Sequence, residues 1–220
     1  KRVTAMPVFG PLNEENGGGD LYWRLPDRSA VVTCLNDDDS VFRVTGWSHF
    51  GGHANTYRVC GELGQIENLR GEDNNVLLSF NEQHIPEGME RVNKYEADFE
   101  PGLKEDAEKA GHGGGDFFIV REFFGSIREN RKPMFDEYFA TTMASVGILA
   151  HRSILEGNKP FDIPDFHREE DRVKFENDEL TPFYGKNGES PTLPCCSDPG
   201  YTPSAAKAIA YNNALKERGH

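Results

Sequence analysis

Residues 111–116 are G-H-G-G-G-D, and F-F-I-V-R-E-F-F-G-S-I-R-E-N follows directly at 117–130. Three consecutive glycines favour a tight turn, because a residue without a Cβ can adopt backbone conformations that other residues avoid. Apolar residues at 117, 120, 124 and 127 recur at helical spacing and predict one buried helical face. Asp116 is predicted to cap this helix, since its carboxylate can accept bonds from the first free backbone N–H groups. The segment therefore predicts a turn that holds His112 and leads into a buried helix.

The chain before this turn has the pattern of a β-sheet. Short apolar or alternating runs bounded by turn-forming residues occur at 2–8, 21–25, 30–35, 41–47, 55–60, 65–69 and 76–80, with a further candidate at 91–97. Neighbouring runs are joined by short polar turns, such as N-D-D-D at 36–39, which is typical of hairpins. An antiparallel meander is therefore expected.

The chain after the turn has the pattern of a second, longer helix. Asp136 is the predicted N-cap, apolar residues recur at 139, 143, 146, 150 and 154, and Gly157 is the predicted stop. Residues 160–164 suit an edge strand, and 203–218 suit a final helix. The prediction is an α+β fold with a large, mainly antiparallel β-sheet, two main helices packed on one face, and an extended C-terminal tail with a short terminal helix. We place the α/β domain at 1–166 and an acidic, Pro-rich tail, wrapping the domain or a partner, at 167–220.

Charge and cysteine content restrict the partners. The net charge of −13 comes from 24 basic and 37 acidic side chains, so neither nucleic acid nor an anionic membrane surface is an expected partner. No apolar run approaches the roughly 20 residues that cross a bilayer. The four cysteines contain no C-x-x-C pair, so no structural zinc site is expected, and their usage fits a cytoplasmic location.

His112 is the candidate for chemistry, as a general acid or base or as a hydrogen-bond partner of a substrate. The alternative is an imidazole that only bonds the backbone of a sharp turn. A second candidate is the loop S-H-F-G-G-H-A-N at 48–55, which carries His49 and His53. Its central glycines favour a loop over a helix, so a metal site is not expected there. With Trp47 as an apolar wall the loop could contact a polar ligand, or it could be an ordinary exposed loop.

Four motifs in fixed order resemble the C-terminal domain of the Gfo/Idh/MocA oxidoreductases. They are Y-R-V-C-G-E-L-G-Q-I-E at 57–67, G-H-G-G-G-D-F at 111–117, P-M-F-D-E-Y at 133–138 and P-F-D-I-P-D-F at 160–166. The resemblance implies a substrate-binding and oligomerising domain beside an N-terminal Rossmann domain that binds NAD or NADP. It also implies action on a sugar or cyclitol hydroxyl and homo-oligomer formation through the sheet face. It places His112 near the substrate, whereas Asp116, Trp47, His49 and His53 are candidate substrate contacts from the residues alone.

Two departures from this family matter. The chain has neither the dinucleotide fingerprint nor the E-K-P segment with the family's catalytic lysine, so we expect it to be the later part of a longer NAD(P)-dependent enzyme. No cofactor is expected on this part, and hydride transfer is not expected from it alone. A subset that resembles NAD-dependent glycosidases uses transient oxidation to drive hydrolysis and is one alternative. A non-catalytic carbohydrate-binding module and a dimerisation module are the others.

Overall fold

A computed structural model describes residues 1–10, 26–47, 56–69, 75–96, 98–185 and 187–202, with Ala206 and Asn213. The chain divides into two compact units, a first unit of residues 1–50 and 135–220 and a second unit of residues 51–134. The described elements are, in chain order, β1 (Arg2–Phe9), β2 (Asp27–Leu35), β3 (Val41–Trp47), β4 (Arg58–Cys60), β5 (Gly64–Asn68), β6 (Asn75–Phe80), β7 (Val92–Glu96), α1 (Lys104–Lys109), α2 (Gly115–Arg128), α3 (Glu137–Leu155), β8 (Phe161–Asp162) and α4 (Glu169–Arg172).

The first unit is an antiparallel sheet covered by α3. Its strand order is β3-β2-β1-β8. Val3 pairs with Cys34 in the register of β1 and β2, and because side chains alternate along a strand, Val3 and Ala5 point to the same face. That face is buried and packs against Leu149 and Ala150 of α3. The core therefore lies between one sheet face and one helix.

A polar contact inside this core joins α3 to β1. Ser153 is fully buried, and its Oγ accepts a hydrogen bond of 3.0 Å from the backbone N–H of Ala5. Strand β8 pairs with β1 only at Arg2 and Val3, so the serine supplies an acceptor where that strand has ended. The Oγ of Thr4 donates to the carbonyl of Asn158, at the turn after the helix. Helix and strand are thus aligned by hydrogen bonds as well as by apolar packing.

The second unit holds another antiparallel sheet, of order β4-β5-β6-β7, followed by α1 and α2. The ring of Phe99 packs on Phe118 of α2, with centroids 5.7 Å apart. Beyond α2, Arg131 returns to the helix and makes two hydrogen bonds of 2.7 Å to the Glu122 carboxylate. Glu122 also accepts a bond from the backbone N–H of Met134, so one side chain holds the segment that leaves the helix.

The α+β class with antiparallel strands is confirmed, although the described strands form two four-stranded sheets where one large sheet was expected. The Asp136 cap is confirmed, because its carboxylate accepts from the backbone N–H of Phe139 at 2.9 Å. Gly157 follows α3 with φ of 71°. Helix α1 was not predicted, because it lies in a charged stretch without apolar periodicity. The strand expected at 21–25 lies outside the described residues, as does the terminal helix at 203–218 apart from Ala206 and Asn213.

The predicted buried face of α2 is wrong. Val120, Phe124 and Ile127 have exposed fractions of 54%, 49% and 61%, and Ser126 is the buried residue of the helix. The apolar spacing correctly indicated a helix, but spacing alone does not say what covers the apolar side.

The described part of the C-terminal segment belongs to the first unit and contacts α3 and β2 there. Nε2 of His151 on α3 lies 3.2 Å from the Pro194 carbonyl. Ser197 bonds the carboxylate of Asp27 through its backbone N–H and its hydroxyl. The division between a domain at 1–166 and a tail at 167–220 stays a prediction. No helix among the described residues is long and apolar enough to cross a membrane.

We expect Ser153→Ala to lower the free energy of unfolding by about 1–3 kcal/mol, because the Ala5 N–H is then buried without an acceptor. Urea unfolding followed by circular dichroism measures this change. Ser145→Ala is the matched control, since the Ser145 hydroxyl donates to the nearby Thr142 carbonyl within the same helix and not to a neighbouring described strand. Equal effects of the two substitutions would contradict the importance of the Ser153–Ala5 bond.

Glu122 should make stability depend on pH in the acid range. The Arg131 guanidinium and the Met134 N–H lower the pKa of this carboxyl from 4.5 to about 2. Because the folded-state pKa is the lower one, the stabilisation is fully present above pH 4.5 and is lost as the pH falls toward 2. Unfolding free energies from pH 2 to 7 should show a loss for Glu122→Gln at pH 7 that shrinks toward pH 2. Glu105→Gln, which removes an exposed helical ion pair to Lys109, should change little.

Candidate functional site

The glycine-rich turn before α2 has an unusual backbone. His112, Gly113 and Gly114 have φ of 53°, 63° and 93°, all in the left-handed region. Glycine adopts this region freely. For histidine the region is unfavourable, because its Cβ lies too close to the backbone carbonyl. A strained residue persists only where its surroundings hold it in place. His112 is therefore held by its surroundings in a backbone conformation that is unfavourable for an isolated histidine.

The Asp116 carboxylate holds the His112 imidazole. Its Oδ1 lies 2.9 Å from the Nδ1 of His112. The predicted capping role of Asp116 is wrong, because Gly114 is the N-cap of α2 and no side chain bonds the first N–H groups. Asp116 lies in the first turn of the helix itself, and its side chain turns back toward His112 instead. A pattern that suggested a helix cap thus forms a histidine–carboxylate pair.

This pair fixes the chemistry available to the imidazole. With Nδ1–H donated to the carboxylate, a neutral imidazole presents Nε2 as a proton acceptor. The side chain of His112 is 85% exposed and that of Asp116 is 52% exposed, so a ligand can approach Nε2. The arrangement can accept a proton, donate one when the ring is charged, or hydrogen-bond a hydroxyl.

Gly114, in the turn after His112, packs closely against an aromatic ring. A Cβ on Gly114 would lie 2.8 Å from the ring carbon Cζ of Phe99, so only glycine lets the turn sit against that ring. The start of α2 also carries the Asp116 carboxylate, which would repel a pyrophosphate. The turn therefore does not fit a dinucleotide phosphate, although it is rich in glycine.

The structure gives less information on the other predicted substrate contacts, which are Trp47, His49 and His53. Trp47 ends β3 in the first unit, while His112 and Asp116 belong to the second. His49 and His53 lie outside the described residues. Of the predicted site residues, the structure brings together His112 and Asp116. Within the described ranges, no cluster of three or more His, Cys, Asp or Glu side chains could hold a metal ion.

A second histidine–carboxylate pair was missed by the sequence analysis. The Nδ1 of His167 lies 2.9 Å from Oδ1 of Asp165, and the ring stacks on Tyr138 with centroids 4.3 Å apart. The bond from His167 lowers the pKa of the Asp165 carboxyl. The D-F-H spacing at 165–167 was the available signal, but two residues so close in a loop form such pairs for purely local reasons.

Comparison with known proteins gives the family. Residues 54–172, more than half of the 220, match the family described as "Glycosyl hydrolase 109, C-terminal domain". The chain belongs to this glycosyl hydrolase 109 family. The match includes the His112–Asp116 pair and α3, and it confirms the resemblance to the Gfo/Idh/MocA C-terminal domain, because the family's C-terminal domain is of that type.

Several curated relatives are similar over parts of their length. A glycosyl hydrolase family 109 protein of Streptomyces niveus is 41% identical over 175 residues, which are 76% of this chain and 35% of that protein. An alpha-N-acetylgalactosaminidase of Tannerella forsythia is 33% identical over 75 residues, 34% of this chain and 16% of that protein. A family 109 protein of Stenotrophomonas maltophilia (strain K279a) is 31% identical over 98 residues, 43% of this chain and 22% of that protein. The chain thus spans about a third or less of these relatives.

The glycosyl hydrolase 109 turn allows a matched pair of substitutions. Gly113→Ala and Gly114→Ala each place a Cβ at positive φ, which costs about 1–2 kcal/mol. Gly114→Ala should be the more destabilising, because its Cβ also meets the Phe99 ring, whereas nothing lies within 4 Å of a Cβ on Gly113. Thermal unfolding of both variants measures the difference. Equal melting temperatures would contradict the packing of Gly114 against Phe99.

Proposed function

We propose that this chain is the substrate-facing C-terminal domain of a glycoside hydrolase. The observation that carries the proposal is the family match over 54–172, which includes the exposed His112–Asp116 pair. A glycoside is a hydroxyl-rich, mostly uncharged ligand. An exposed imidazole backed by a carboxylate suits such a ligand, because it can bond a hydroxyl and exchange a proton with it.

The names of the relatives support hydrolysis over net oxidation or reduction. Each of the three is named as a glycosyl hydrolase family 109 protein or as an alpha-N-acetylgalactosaminidase. None of these names refers to oxidation of a sugar hydroxyl, the activity that the Gfo/Idh/MocA resemblance implied. The glycosidase-like alternative therefore becomes the main proposal, with an α-N-acetylgalactosaminide as the first substrate to try.

We propose that the full-length protein uses a nicotinamide cofactor. The glycine-rich turn at 111–116 does not suit its pyrophosphate, because Phe99 fills the space behind Gly114 and Asp116 places a carboxylate at the start of α2. We therefore propose that NAD or NADP is held outside the described part of this chain.

Within this chain, His112 is the proposed acid–base residue and Asp116 its positioning residue. Asp116 accepts from Nδ1, so Nε2 faces the ligand in a fixed orientation. Trp47, His49 and His53 remain proposed substrate contacts. Homo-oligomer formation through a sheet face also remains a proposal, and on the sheet of the first unit Met6 and Val31 are 64% and 40% exposed.

The test is hydrolysis of p-nitrophenyl α-N-acetylgalactosaminide by the full-length protein. Loss of the imidazole in His112→Ala should lower kcat/KM by roughly 10²–10⁴-fold, the usual contribution of a positioned acid or base. Asp116→Asn should lower kcat and change its pH profile more than it changes KM, because the amide no longer fixes the Nδ1–H form.

His167→Ala is the matched control, since His167 has the same Nδ1–carboxylate distance of 2.9 Å. Its kcat/KM should equal that of the unsubstituted protein. An unaltered kcat/KM in His112→Ala would remove His112 from the mechanism. Absence of sugar release together with steady reduction of added NAD would favour the oxidoreductase alternative instead.

A further inference from the structure

Helix α3 covers one side of the inner face of the first sheet. It packs along β1 and β8, which lie together in the strand order β3-β2-β1-β8. The register continues the same face onto β3, because Cys34 pairs with Phe42 and Val32 pairs with Val44. Among the described residues, the core cluster of this face and its partly buried neighbours include none from β3. The side of the face formed by β3 therefore lies outside the core.

The exposure of the β3 side chains agrees with this. Phe42 is 57% exposed and Val44 is 39% exposed, whereas Cys34 on the neighbouring strand is 5% exposed. A Cβ on Gly46, the next residue of β3 on this face, would have no described atom within 4 Å. Apolar side chains on a sheet face normally pack against a second layer. Phe42, Val44 and Gly46 thus form an open apolar surface, here called the β3 strip.

The C-terminal segment leads toward this strip. Its Ser197 bonds the carboxylate of Asp27 at the start of β2. The ring centroid of Tyr201 lies 6.0 Å from that of Phe9 at the end of β1. Because neighbouring strands are antiparallel, Trp47 at the end of β3 lies at the same end of the sheet. The chain after residue 202 therefore continues from the end of the sheet at which the β3 strip begins.

The remaining chain has a suitable apolar side. The sequence predicts a helix over residues 203–218, and within it Ala206 and Asn213 are helical and exposed. Residues seven apart lie on nearly the same side of a helix, which has 3.6 residues per turn. The side opposite to these two carries Ala208, Tyr211 and Leu215. Two large apolar side chains and one small one are thus available to cover a surface.

The lengths also agree. A helix over 203–218 spans roughly 24 Å at a rise of about 1.5 Å per residue. The seven residues of β3 span roughly the same length at about 3.4 Å per residue. One helix along β3 would therefore cover the strip from end to end.

We propose that residues 203–218 form a helix that packs on the β3 strip, beside α3. Counted from the end of β3, the two rises per residue place Tyr211 level with Val44 and Leu215 level with Phe42. The small Ala208 comes level with the part of the strip that has no side chain. The inner face of the sheet is then covered by two helices side by side.

The charges at the end of this helix agree with the arrangement. A helix that runs along β3 from its last residue to its first ends beside the turn N-D-D-D at 36–39, which carries three carboxylates. Lys216 and Arg218 lie in the last turn of the helix, where basic side chains are favourable because the C-terminal end of a helix is partly negative. Glu217 falls on the exposed side with Asn213. The two basic residues thus meet the acidic turn.

A pair of cysteine substitutions tests the contact in the whole chain. Phe42→Cys with Leu215→Cys, in a Cys60→Ser background that removes the exposed native thiol, should form a disulfide within one chain when glutathione disulfide is added. Phe42→Cys with Ile209→Cys is the matched control, because Ile209 lies toward the exposed side of the helix. It should link about tenfold more slowly or less, since a disulfide needs Cα atoms within about 7 Å. Mass spectrometry of the linked peptides measures both rates.

Unfolding by urea gives a second, independent measurement. Leu215→Asp should lower the ratio of folded to unfolded chain about tenfold or more, because a carboxylate replaces a buried leucine. Ile209→Asp, the same change on the exposed side, should leave the ratio unaltered. The β3 strip contains no residue of the proposed hydrolase site, and neither measurement depends on hydrolysis.

The proposal is overturned if the Phe42 and Leu215 positions do not link, or if they link no faster than the control pair. A disulfide that joins two chains would overturn it as well, since it would show a second copy of the chain on the strip. Equal stability of Leu215→Asp and Ile209→Asp would do the same.

Discussion

The first unit depends on the alignment of α3 with β1, and the buried bond from the Ala5 N–H to Ser153 sets that alignment. Apolar packing of Val3 and Ala5 against Leu149 and Ala150 is not directional, so by itself it would allow the helix to slide along the strand. A hydrogen bond inside this layer has a defined length and angle and allows one register. The helix in turn carries Arg152, whose guanidinium donates to the Asp178 carboxylate, so the position of this ion pair depends on the same serine.

The second unit shows how a turn can be specific without a large core. Its distinctive residue, His112, is held at positive φ between a carboxylate on one side and the Gly114–Phe99 packing behind it. The strain is tolerated because other backbone conformations of His112 would lose the bond to Asp116 or the packing of Gly114 on Phe99. Such a local arrangement is compatible with an exposed imidazole, which a buried histidine would not provide.

Most strands and both long helices could be predicted from the sequence, because alternation and helical spacing are local properties that can be read from neighbouring residues. The cap at Asp136 could be predicted for the same reason. The role of Asp116 could not, since a carboxylate beside a glycine turn can bond either the helix N–H groups or a nearby side chain. The exposure of Val120, Phe124 and Ile127 was also beyond local information, because periodicity identifies an apolar face without its partner. His112 was found through its glycine neighbours, whereas the bond from Arg152 to Asp178 joins residues 26 apart and leaves no local pattern in the sequence.

The first unit is assembled from two distant stretches of chain, and this has a consequence for the order of folding. The bond between Ala5 and Ser153 spans 148 residues, and the whole of residues 51–134 lies between the two stretches. Closing so long a loop is slow relative to forming neighbouring hairpins. During synthesis, β1, β2 and β3 leave the ribosome with their inner face uncovered, and the second unit is complete before α3 exists. The inner face of β1, β2 and β3 is therefore covered only after α3 has been made, which places the closing of the first unit late in synthesis.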